Sequence, residues 1–279
     1  MKYIKLVIAI NDEYQEPFIA ELSEMGFDGF EQFEDQLVTY IEQGSIDIGD
    51  RERIEQLLAG FPRHGFIESE QIVREQNWNE QWEQTIRARQ IGRFFVKPTW
   101  SAEQAPQGKI LLEIDPKMSF GTGYHETTRL MLQLLPDLVG EGDRVIDAGT
   151  GTGILAIAAI KLGAGHAVAF DIDEWSINNA RENILLNGVS SRITIKQGSA
   201  EVLSEQASAD LLLANIKRDI ILELLPDFTA ALKKEGHLVL SGLLESDRRD
   251  IEARLSPLSE IKNIRRENKW IAIHAQLKK

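Results

Sequence analysis

A loop of alternating glycines behind a short apolar strand is the feature that most restricts how this chain can fold. The segment reads Arg144-Val-Ile-Asp147-Ala-Gly149-Thr-Gly151-Thr-Gly153-Ile154. Glycine adopts backbone angles that other residues resist, and it lets the backbone pass close to a ligand. An apolar helix is predicted after the loop, and its first N–H groups would face the same ligand. This order predicts an α/β fold with a mostly parallel sheet and a nucleotide site at the three glycines.

An acidic residue ends the second predicted strand, which runs from His166 to Asp171, 22 residues after Gly149. A carboxylate at this place can accept hydrogen bonds from both hydroxyls of a ribose. The loop also contains the pattern Gly-x-Gly-x-x-Ala, so a nicotinamide dinucleotide is one candidate cofactor. S-adenosylmethionine is favoured, because Asp147 directly precedes the loop, where a carboxylate can meet the cationic amino end of methionine. In addition, Gly149, the first glycine of the loop, lies before the Gly-x-Gly-x-x-Ala pattern that begins at Gly151. No clear site for hydride transfer follows in the sequence.

Further strands are predicted to place polar residues at the same edge of the sheet. They cover 192–196, 209–214 and 236–241, and a final antiparallel pair covers 260–267 and 269–276. Ligands of open parallel sheets bind outside the carboxyl ends of the strands. Asp147, Asp171, Ser199 and Asn215 all follow such ends. We therefore expect one crevice to collect them, with Ser199 near an adenine.

Asn215 opens the sequence Asn215-Ile216-Lys217-Arg218 directly after the strand predicted over 209–214. Its amide can orient an amine substrate, which makes it the candidate catalytic residue. The alternative is a cap on the helix predicted over 219–232, a role that asparagine often has. Ile216 and Lys217 offer no aromatic ring that could stack on a planar substrate, so an aliphatic amine is the favoured substrate.

A second glycine-rich segment lies upstream and reads Phe120-Gly121-Thr122-Gly123-Tyr124-His125. Thr127 and Thr128 follow at the start of an amphipathic helix predicted over 127–135, where a threonine would serve as N-cap. We predict that residues 120–125 form a flap over the cofactor and that Thr128 reaches the cofactor. His125 is either a base or, as is more usual for a lone histidine, structural.

The charge of the chain is concentrated at its N-terminus. The chain has 31 Lys and Arg against 44 Asp and Glu, a net charge of −13, but residues 1–76 alone hold 6 against 17, or −11. This is either a solvated surface or an acidic face that attracts a basic partner. A net acidic chain is poorly suited to grip nucleic acid. The absence of cysteine excludes zinc fingers, disulfide frameworks and thiol catalysis, and no metal site is expected.

The pattern of the chain predicts two domains and a junction. Residues 1–76 follow the order βαββαβ, typical of a small α+β ferredoxin-like domain. Residues 77–108 form a linker helix and strand, in which Trp78 and Trp82 lie on one helix face; the favoured role for them is an anchor between domains, and the alternative is substrate contact. Residues 109–279 form the domain with the glycine loop. No apolar stretch is long enough to cross a membrane, and we expect a cytoplasmic protein.

At these motifs the chain resembles the ribosomal protein L11 methyltransferases of the PrmA type. The resemblance rests on Phe120-Gly-Thr-Gly-x-His-x-Thr-Thr, on the glycine loop, on Asp171-Ile-Asp173, on Ala214-Asn215-Ile216, on Trp78-x-x-x-Trp82 and on Lys97-Pro-x-Trp100. It covers about residues 75–279, and the N-terminal module matches only in layout. Lys217 and Arg218 stand where the family usually has small or apolar residues, and Tyr124 and Glu126 make the flap bulkier and more acidic.

The resemblance implies a class I methyltransferase fold, Rossmann-like with a mostly parallel seven-stranded sheet, behind a ferredoxin-like substrate-recognition domain. It implies cofactor contacts at Thr128, Gly149, Asp171 and Asn215. It also implies methylation of lysine side chains, and sometimes of the N-terminal amine, of ribosomal protein L11, which would dock on the acidic N-terminal domain. The alternatives are a methyltransferase for another amine, a nicotinamide-dependent oxidoreductase and a cofactor-binding assembly factor without catalysis.

Overall fold

Residues 2–46, 48–60, 65–74, 86–117, 119–204 and 208–278 are described by the computed structural model of the chain. The chain divides into two units, Met1–Trp78 and Asn79–Lys279. Trp78 and Trp82, and most of the helix predicted around them, lie outside the described residues. Within the described ranges, no helix is long and apolar enough to cross a membrane.

The first unit is a four-stranded antiparallel sheet with two helices. Its elements are β1 (Lys2–Ala9), α1 (Asp12–Glu24), β2 (Asp28–Phe33), β3 (Gln36–Glu42), α2 (Ile48–Ala59) and β4 (Phe66–Arg74). The strand order is β2-β3-β1-β4, so the predicted ferredoxin-like layout is confirmed. Alternate residues of β1 (Ile4, Leu6 and Ile8) are buried in one core with Phe18 of α1 and Ile54 of α2, as the two-residue period of a strand requires.

The second unit contains the glycine loop and a larger set of elements. They are β5 (Arg89–Ile91), β6 (Phe94–Lys97), β7 (Ile110–Glu113), α3 (Glu126–Leu134), β8 (Arg144–Ala148), α4 (Ile154–Leu162), β9 (His166–Asp171), α5 (Glu174–Leu186), β10 (Ile193–Gln197), α6 (Ala200–Ser204), β11 (Ala209–Asn215), α7 (Arg218–Ala231), β12 (Leu232–Leu244), α8 (Arg248–Leu255), β13 (Ser259–Glu267) and β14 (Trp270–Leu277).

Seven strands of this unit form one sheet in the order β10-β9-β8-β11-β12-β14-β13. The neighbours from β10 to β12 are parallel, and β14 and β13 are antiparallel, which confirms the predicted class I methyltransferase fold. Leu211 to Ala214 of β11 are all 0% exposed, because helices cover both faces of a central parallel strand. The order of successive strands changes side between β8 and β11, because β9 and β10 lie on one side of β8 and β11 and β12 lie on the other. A crevice is expected there at the carboxyl ends.

A second, small sheet of the order β5-β6-β7 precedes the large one. Residues 77–108, interpreted from the sequence as a linker helix and strand, contain β5 and β6. β6 pairs in parallel with β7, which lies in the segment assigned to the catalytic domain. Residues 86–108 thus belong structurally to the second unit. The sequence predicted a strand near β6 but gave no signal for β5 and β7 as its partners.

Candidate active site

A cavity of about 470 Å³ lies at the carboxyl ends of the central strands. Six of the residues predicted from sequence line it: Phe120, Gly149, Gly151, Asp171, Ser199 and Asn215. They come from the flap and from the ends of β8, β9, β10 and β11, so the topology brings together what the sequence separates. The other predicted residues are not on the cavity wall and lie behind it or beside it.

The glycine loop follows β8 with three left-handed residues, which only glycine adopts readily. Gly149, Gly151 and Gly153 have φ angles of 70°, 54° and 82°. The Gly149 N–H donates to the carbonyl of Phe170 at 2.9 Å, and the Gly151 N–H donates to Asp171 Oδ2 at 3.0 Å. Gly153 caps α4 and packs on α5, since a Cβ there would lie 3.3 Å from Ala180 Cβ.

Asp171 ends β9 at the cavity wall with both carboxylate oxygens anchored. Oδ2 accepts from the Gly151 N–H at 3.0 Å, and Oδ1 accepts from the Asp173 N–H at 3.1 Å. Each carboxylate oxygen has more than one acceptor site, so the carboxylate can also accept from two hydroxyls of a ribose. Ser199, at the start of the turn into α6, donates its N–H to Glu201 Oε1 at 2.9 Å.

Asp147 lies beneath the loop and is fully buried. Its Oδ2 accepts from the Thr150 hydroxyl at 2.7 Å and from the Ala156 N–H at 3.1 Å, which ties the loop to the first turn of α4. Burial raises the pKa of this carboxyl to about 6, against the smaller opposite effect of those two hydrogen bonds. Oδ1 is buried without a partner. A contact between Asp147 and a methionine amine stays a prediction, because the side chain is not part of the cavity wall.

Asn215 is held at the cavity by a buried residue of α3. Its Nδ2 donates to Thr128 Oγ1 at 3.4 Å, and Thr128 is 0% exposed. The carbonyl oxygen Oδ1 of Asn215 is buried and has no hydrogen-bond partner. The N-cap of α7 is Lys217, so Asn215 does not cap that helix. Thr128 lies behind Asn215, and its predicted contact with the cofactor remains untested.

Ile216 occupies a narrow space that the sequence did not reveal. A Cβ on Gly149 would lie 2.2 Å from Ile216 Cγ2, and a Cβ on Gly242 would lie 2.2 Å from the Ile216 carbonyl oxygen. Gly242 has a φ of 82° and sits where the β12–β14 register shifts between Leu240 and Leu243. A glycine inside a strand indicates a bulge or a close backbone approach, but the predicted strand ended at residue 241, whereas the observed strand β12 continues to Leu244, so this signal was missed at Gly242.

The flap lies directly against the glycine loop. The Phe120 carbonyl accepts from the Thr152 N–H at 2.9 Å, and the Gly121 carbonyl accepts from the Thr152 hydroxyl at 2.6 Å. The Phe120 side chain lines the cavity and is 51% exposed. Thr122 accepts from the Tyr124 N–H at 3.3 Å. Gly123 faces a different neighbour, since a Cβ there would lie 3.1 Å from Ile91 Cδ1.

His125 is the N-cap of α3, which corrects the expected threonine cap. Its Nδ1 accepts from the Thr127 N–H at 3.3 Å, and the helix begins at Glu126 with Thr127 and Thr128 buried inside it. The imidazole packs edge-on against Phe120 and Trp270, at centroid distances of 5.2 and 4.7 Å. The ring is a helix cap and a packing element and does not line the cavity.

The residues of this cavity fit S-adenosylmethionine. Asp171 can accept from a ribose diol, and the side chains of Ile172, Ile220 and Leu224 give part of the wall an apolar character suited to an adenine. Asn215 Oδ1, buried without a partner, is an acceptor that a cationic amino group or an amine N–H can satisfy. The same cavity thus holds an acceptor for the ribose hydroxyls and an unsatisfied acceptor for an amino group. A site that binds this cofactor next to an amine needs both.

Comparison with known proteins identifies related chains. The profile of the family described as ribosomal protein L11 methyltransferase (PrmA) matches residues 63–278, and residues 1–62 lie outside this match. A ribosomal protein L11 methyltransferase from Syntrophomonas wolfei subsp. wolfei is 36% identical over 206 residues, 73% of this chain and 67% of that protein. One from Shouchella clausii is 39% identical over 206 residues, 73% of this chain and 65% of that protein.

Further matches exist among sequences and structures. A ribosomal protein L11 methyltransferase from Porphyromonas gingivalis is 40% identical over 236 residues, 82% of this chain and 78% of that protein. The crystal structure of ribosomal protein L11 methylase from Lactobacillus delbrueckii subsp. bulgaricus superposes with a TM-score of 0.64 at 31% identity. The superposition covers 69% of this chain and 100% of the Lactobacillus chain. The match to the first two relatives spans about two thirds of their length.

Proposed function

Because this chain belongs to the ribosomal protein L11 methyltransferase family, we propose that it transfers methyl groups from S-adenosylmethionine to amino groups of ribosomal protein L11. Lysine side chains are the main proposed targets, and the N-terminal amine is a second one because it is also an aliphatic amine. A cytoplasmic location, where the substrate would be met, is part of the proposal. The family match over residues 63–278 supports the assignment.

The unpartnered Oδ1 of Asn215 is the observation that carries the proposal. This acceptor lies at the cavity with its amide nitrogen already engaged by Thr128, so the oxygen is left for a ligand. A buried acceptor without a partner is costly, and an amine N–H satisfies it. Asp171, the ribose acceptor, lines the same cavity. The proposed cofactor and the proposed nucleophile therefore share one site.

S-adenosylmethionine, when bound, supplies a methyl group activated by its sulfonium charge. The residues of this chain then have to present a neutral amine in line with that methyl group. A free lysine has a pKa of about 10.4, and the partly apolar cavity favours its neutral form. Asn215 Oδ1 accepts one N–H of the amine and so directs its lone pair. Alignment of this kind supplies much of the rate without a dedicated base.

Separate substitutions of Asn215 and Asp171 distinguish orientation of the substrate amine from binding of the cofactor. We expect Asn215→Ala to lower kcat by about 100-fold, as loss of alignment does, with little change in cofactor affinity measured by calorimetry. Asp171→Ala should instead lose cofactor binding. Labelled S-adenosylmethionine, purified L11 and mass mapping of the product provide the activity readout. Full turnover by Asn215→Ala would show that Asn215 does not orient the amine.

Docking of the basic substrate on the acidic first unit is the second part of the proposal. Residues 1–76 carry a net charge of −11, and Glu34, Glu42 and Glu52 are exposed there. Opposite charges accelerate encounter in a salt-dependent way. Replacing these three glutamates by glutamine should raise KM for L11 at low salt and leave cofactor affinity unchanged.

A matched control for the charge effect is available in the second unit. Glu103, Glu223 and Glu260 are also exposed, and their replacement by glutamine removes the same charge. Equal effects of the two triple variants would mean that only net charge matters and would contradict docking on the first unit. Methylation of another protein or a small amine in preference to L11, in a screen with labelled cofactor, would replace the proposed substrate and keep the proposed reaction.

A further inference from the structure

The tip of the β13–β14 hairpin, residues 267–270, lies against the start of α3 and the flap. Glu267 ends β13 and Trp270 begins β14, so a two-residue turn joins the strands. Asn268 in this turn has a φ of 55°, which asparagine tolerates better than most residues. A turn of this length gives the tip little freedom, so groups on it are held in place by two paired strands.

Polar contacts connect the hairpin tip to the segment that follows the flap. Arg129 of α3 donates through Nε and Nη2 to Glu267 Oε1, at 2.9 and 2.5 Å, and through Nη1 to the Tyr124 carbonyl. The Arg129 side chain is only 15% exposed, which strengthens this charge-assisted contact. Asn268 Nδ2 donates to Glu126 Oε1 at 2.9 Å. Both contacts fix the N-terminal turn of α3 to the tip.

Aromatic contacts continue from the hairpin tip to the cavity. The His125 ring stands edge-on to Trp270 on one side, at 4.7 Å, and to Phe120 on the other, at 5.2 Å. Phe120 lines the cavity, and its carbonyl accepts from the Thr152 N–H of the glycine loop. An unbroken series of contacts therefore leads from Trp270 through His125 and Phe120 to the cofactor loop.

We propose that the hairpin tip, through Trp270 and Glu267, holds the flap against the glycine loop and so controls how tightly the cofactor is retained. Trp270 and Glu267 are positioning residues, since neither lines the cavity. Trp270 acts through the His125 and Phe120 rings, and Glu267 acts through Arg129. The nature of the retained ligand rests on the proposed function, whereas the position of the flap does not.

Hydrogen exchange and calorimetry on the full chain test the two parts separately. Exchange of the Thr152 amide in the ligand-free protein reports flap opening, because that N–H donates to Phe120. We expect Trp270→Leu to accelerate this exchange and to weaken S-adenosylmethionine binding by about three- to tenfold, the range for an aromatic edge contact. Trp270→Phe keeps an aromatic ring, so its Thr152 exchange rate and its cofactor affinity should stay close to those of the wild-type protein. Glu267→Gln should give a similar but smaller loss.

The control variant is Glu260→Gln on the same strand. Glu260 is exposed and pairs with Lys262, so its replacement should leave Thr152 exchange and cofactor affinity unchanged. Unchanged values in both Trp270→Leu and Glu267→Gln would overturn the proposal. If Trp270→Leu accelerates exchange of the β11 amides equally, the fold is weakened as a whole and Glu267→Gln decides. If exchange responds but the wild-type protein does not bind S-adenosylmethionine, the proposed function fails and the role of the tip stands.

Discussion

Gly242 sets the position of Ile216, and therefore of Asn215 beside it. We predict that Gly242→Ala lowers kcat at least tenfold, because its Cβ would meet the Ile216 carbonyl oxygen at 2.2 Å and shift the neighbouring Asn215, which is proposed to orient the substrate amine. Displacement of about 1 Å from the reactive geometry can cost about 100-fold in rate. The measurement is kcat with L11 as substrate, together with cofactor affinity.

The clash at Gly242 can be separated from backbone strain. Gly108 has a φ of 80°, close to the 82° of Gly242, but a Cβ there meets nothing within 4 Å. Gly108→Ala therefore suffers the same strain, about 1 kcal/mol of stability, without the contact. Equal activity of the two alanine variants would refute the positioning role of Gly242.

Single residues were predictable where the signal was local. Gly149, Gly151, Asp171 and Asn215 follow strand ends that an apolar run reveals, and the cavity collects all of them. The supporting contacts were not predictable, because they join residues far apart in sequence. The contact of Ile216 with Gly242 and that of His125 with Trp270 depend on tertiary packing and leave no local pattern that names the partner.

Asn179 and Asn183 of α5, together with its C-cap residue Asn187, hydrogen-bond to backbone groups at and just after the end of β7. Asn183 accepts from the Asp115 N–H at 2.9 Å and donates to the Asp115 and Thr152 carbonyls at 3.2 and 2.9 Å. Asn187 bonds the Glu113 N–H and carbonyl, and Asn179 donates to the Asp115 carbonyl. The amides thus fix the last residue of β7, the backbone just after it and one carbonyl of the glycine loop.

Replacement of Asn183 should destabilise this packing strongly. Asn183 is 0% exposed, so Asn183→Leu leaves buried backbone groups without partners, at about 2–4 kcal/mol in the free energy of unfolding. Asn178→Leu is the control, since Asn178 is exposed on the same helix. Urea denaturation measures both. If Asn183→Leu lowers the free energy of unfolding no more than Asn178→Leu does, the hydrogen bonds of Asn183 are dispensable for the fold.

Elements were predicted well where turn residues mark their ends. Strand β9 agrees with its predicted bounds, and β13 and β14 agree with theirs to within one residue, because strands of this length bounded by glycine, asparagine or aspartate are recognisable in sequence. Strands β5 and β7 are three and four residues long, too short for a periodic signal, and their pairing with β6 is tertiary. The cap of α3 was assigned to threonine from residue preference, whereas the chain uses His125.

Over the whole molecule, two buried titratable groups respond to pH in opposite directions. Burial raises the pKa of Asp147 to about 6 from 3.8. Burial, reinforced by the neighbouring His237 and Lys262, lowers the pKa of His274 to about 4 from 6.5. His237 Nδ1 and His274 Nε2 are 2.9 Å apart, so protonating both rings would place like charges in contact. Both groups change their proton number mainly between pH 4 and pH 6.5.

The signs of the two contributions follow from proton linkage. Between pH 4 and 6 the folded protein keeps a proton on Asp147 that the unfolded chain has lost, so this group reduces stability as pH rises. As pH falls, His274 takes up a proton in the unfolded chain at a higher pH than in the folded protein. Its contribution to stability is therefore complete above pH 6.5 and is lost as pH falls towards 4. The two effects oppose each other in the wild-type protein across the same interval.

We therefore predict that single variants show a dependence of stability on pH that largely cancels in the wild-type protein. Relative to wild type, Asp147→Asn should gain stability as pH rises from 4 to 6, on the order of 2 kcal/mol, because an amide keeps the acceptor for Thr150 and Ala156 without the buried charge. His274→Gln should gain relative stability as pH falls over the same range. Urea denaturation of the cofactor-free protein at half-unit pH steps measures both differences. Parallel stability curves for wild type and either variant would mean that the group concerned titrates alike in the folded and unfolded chain.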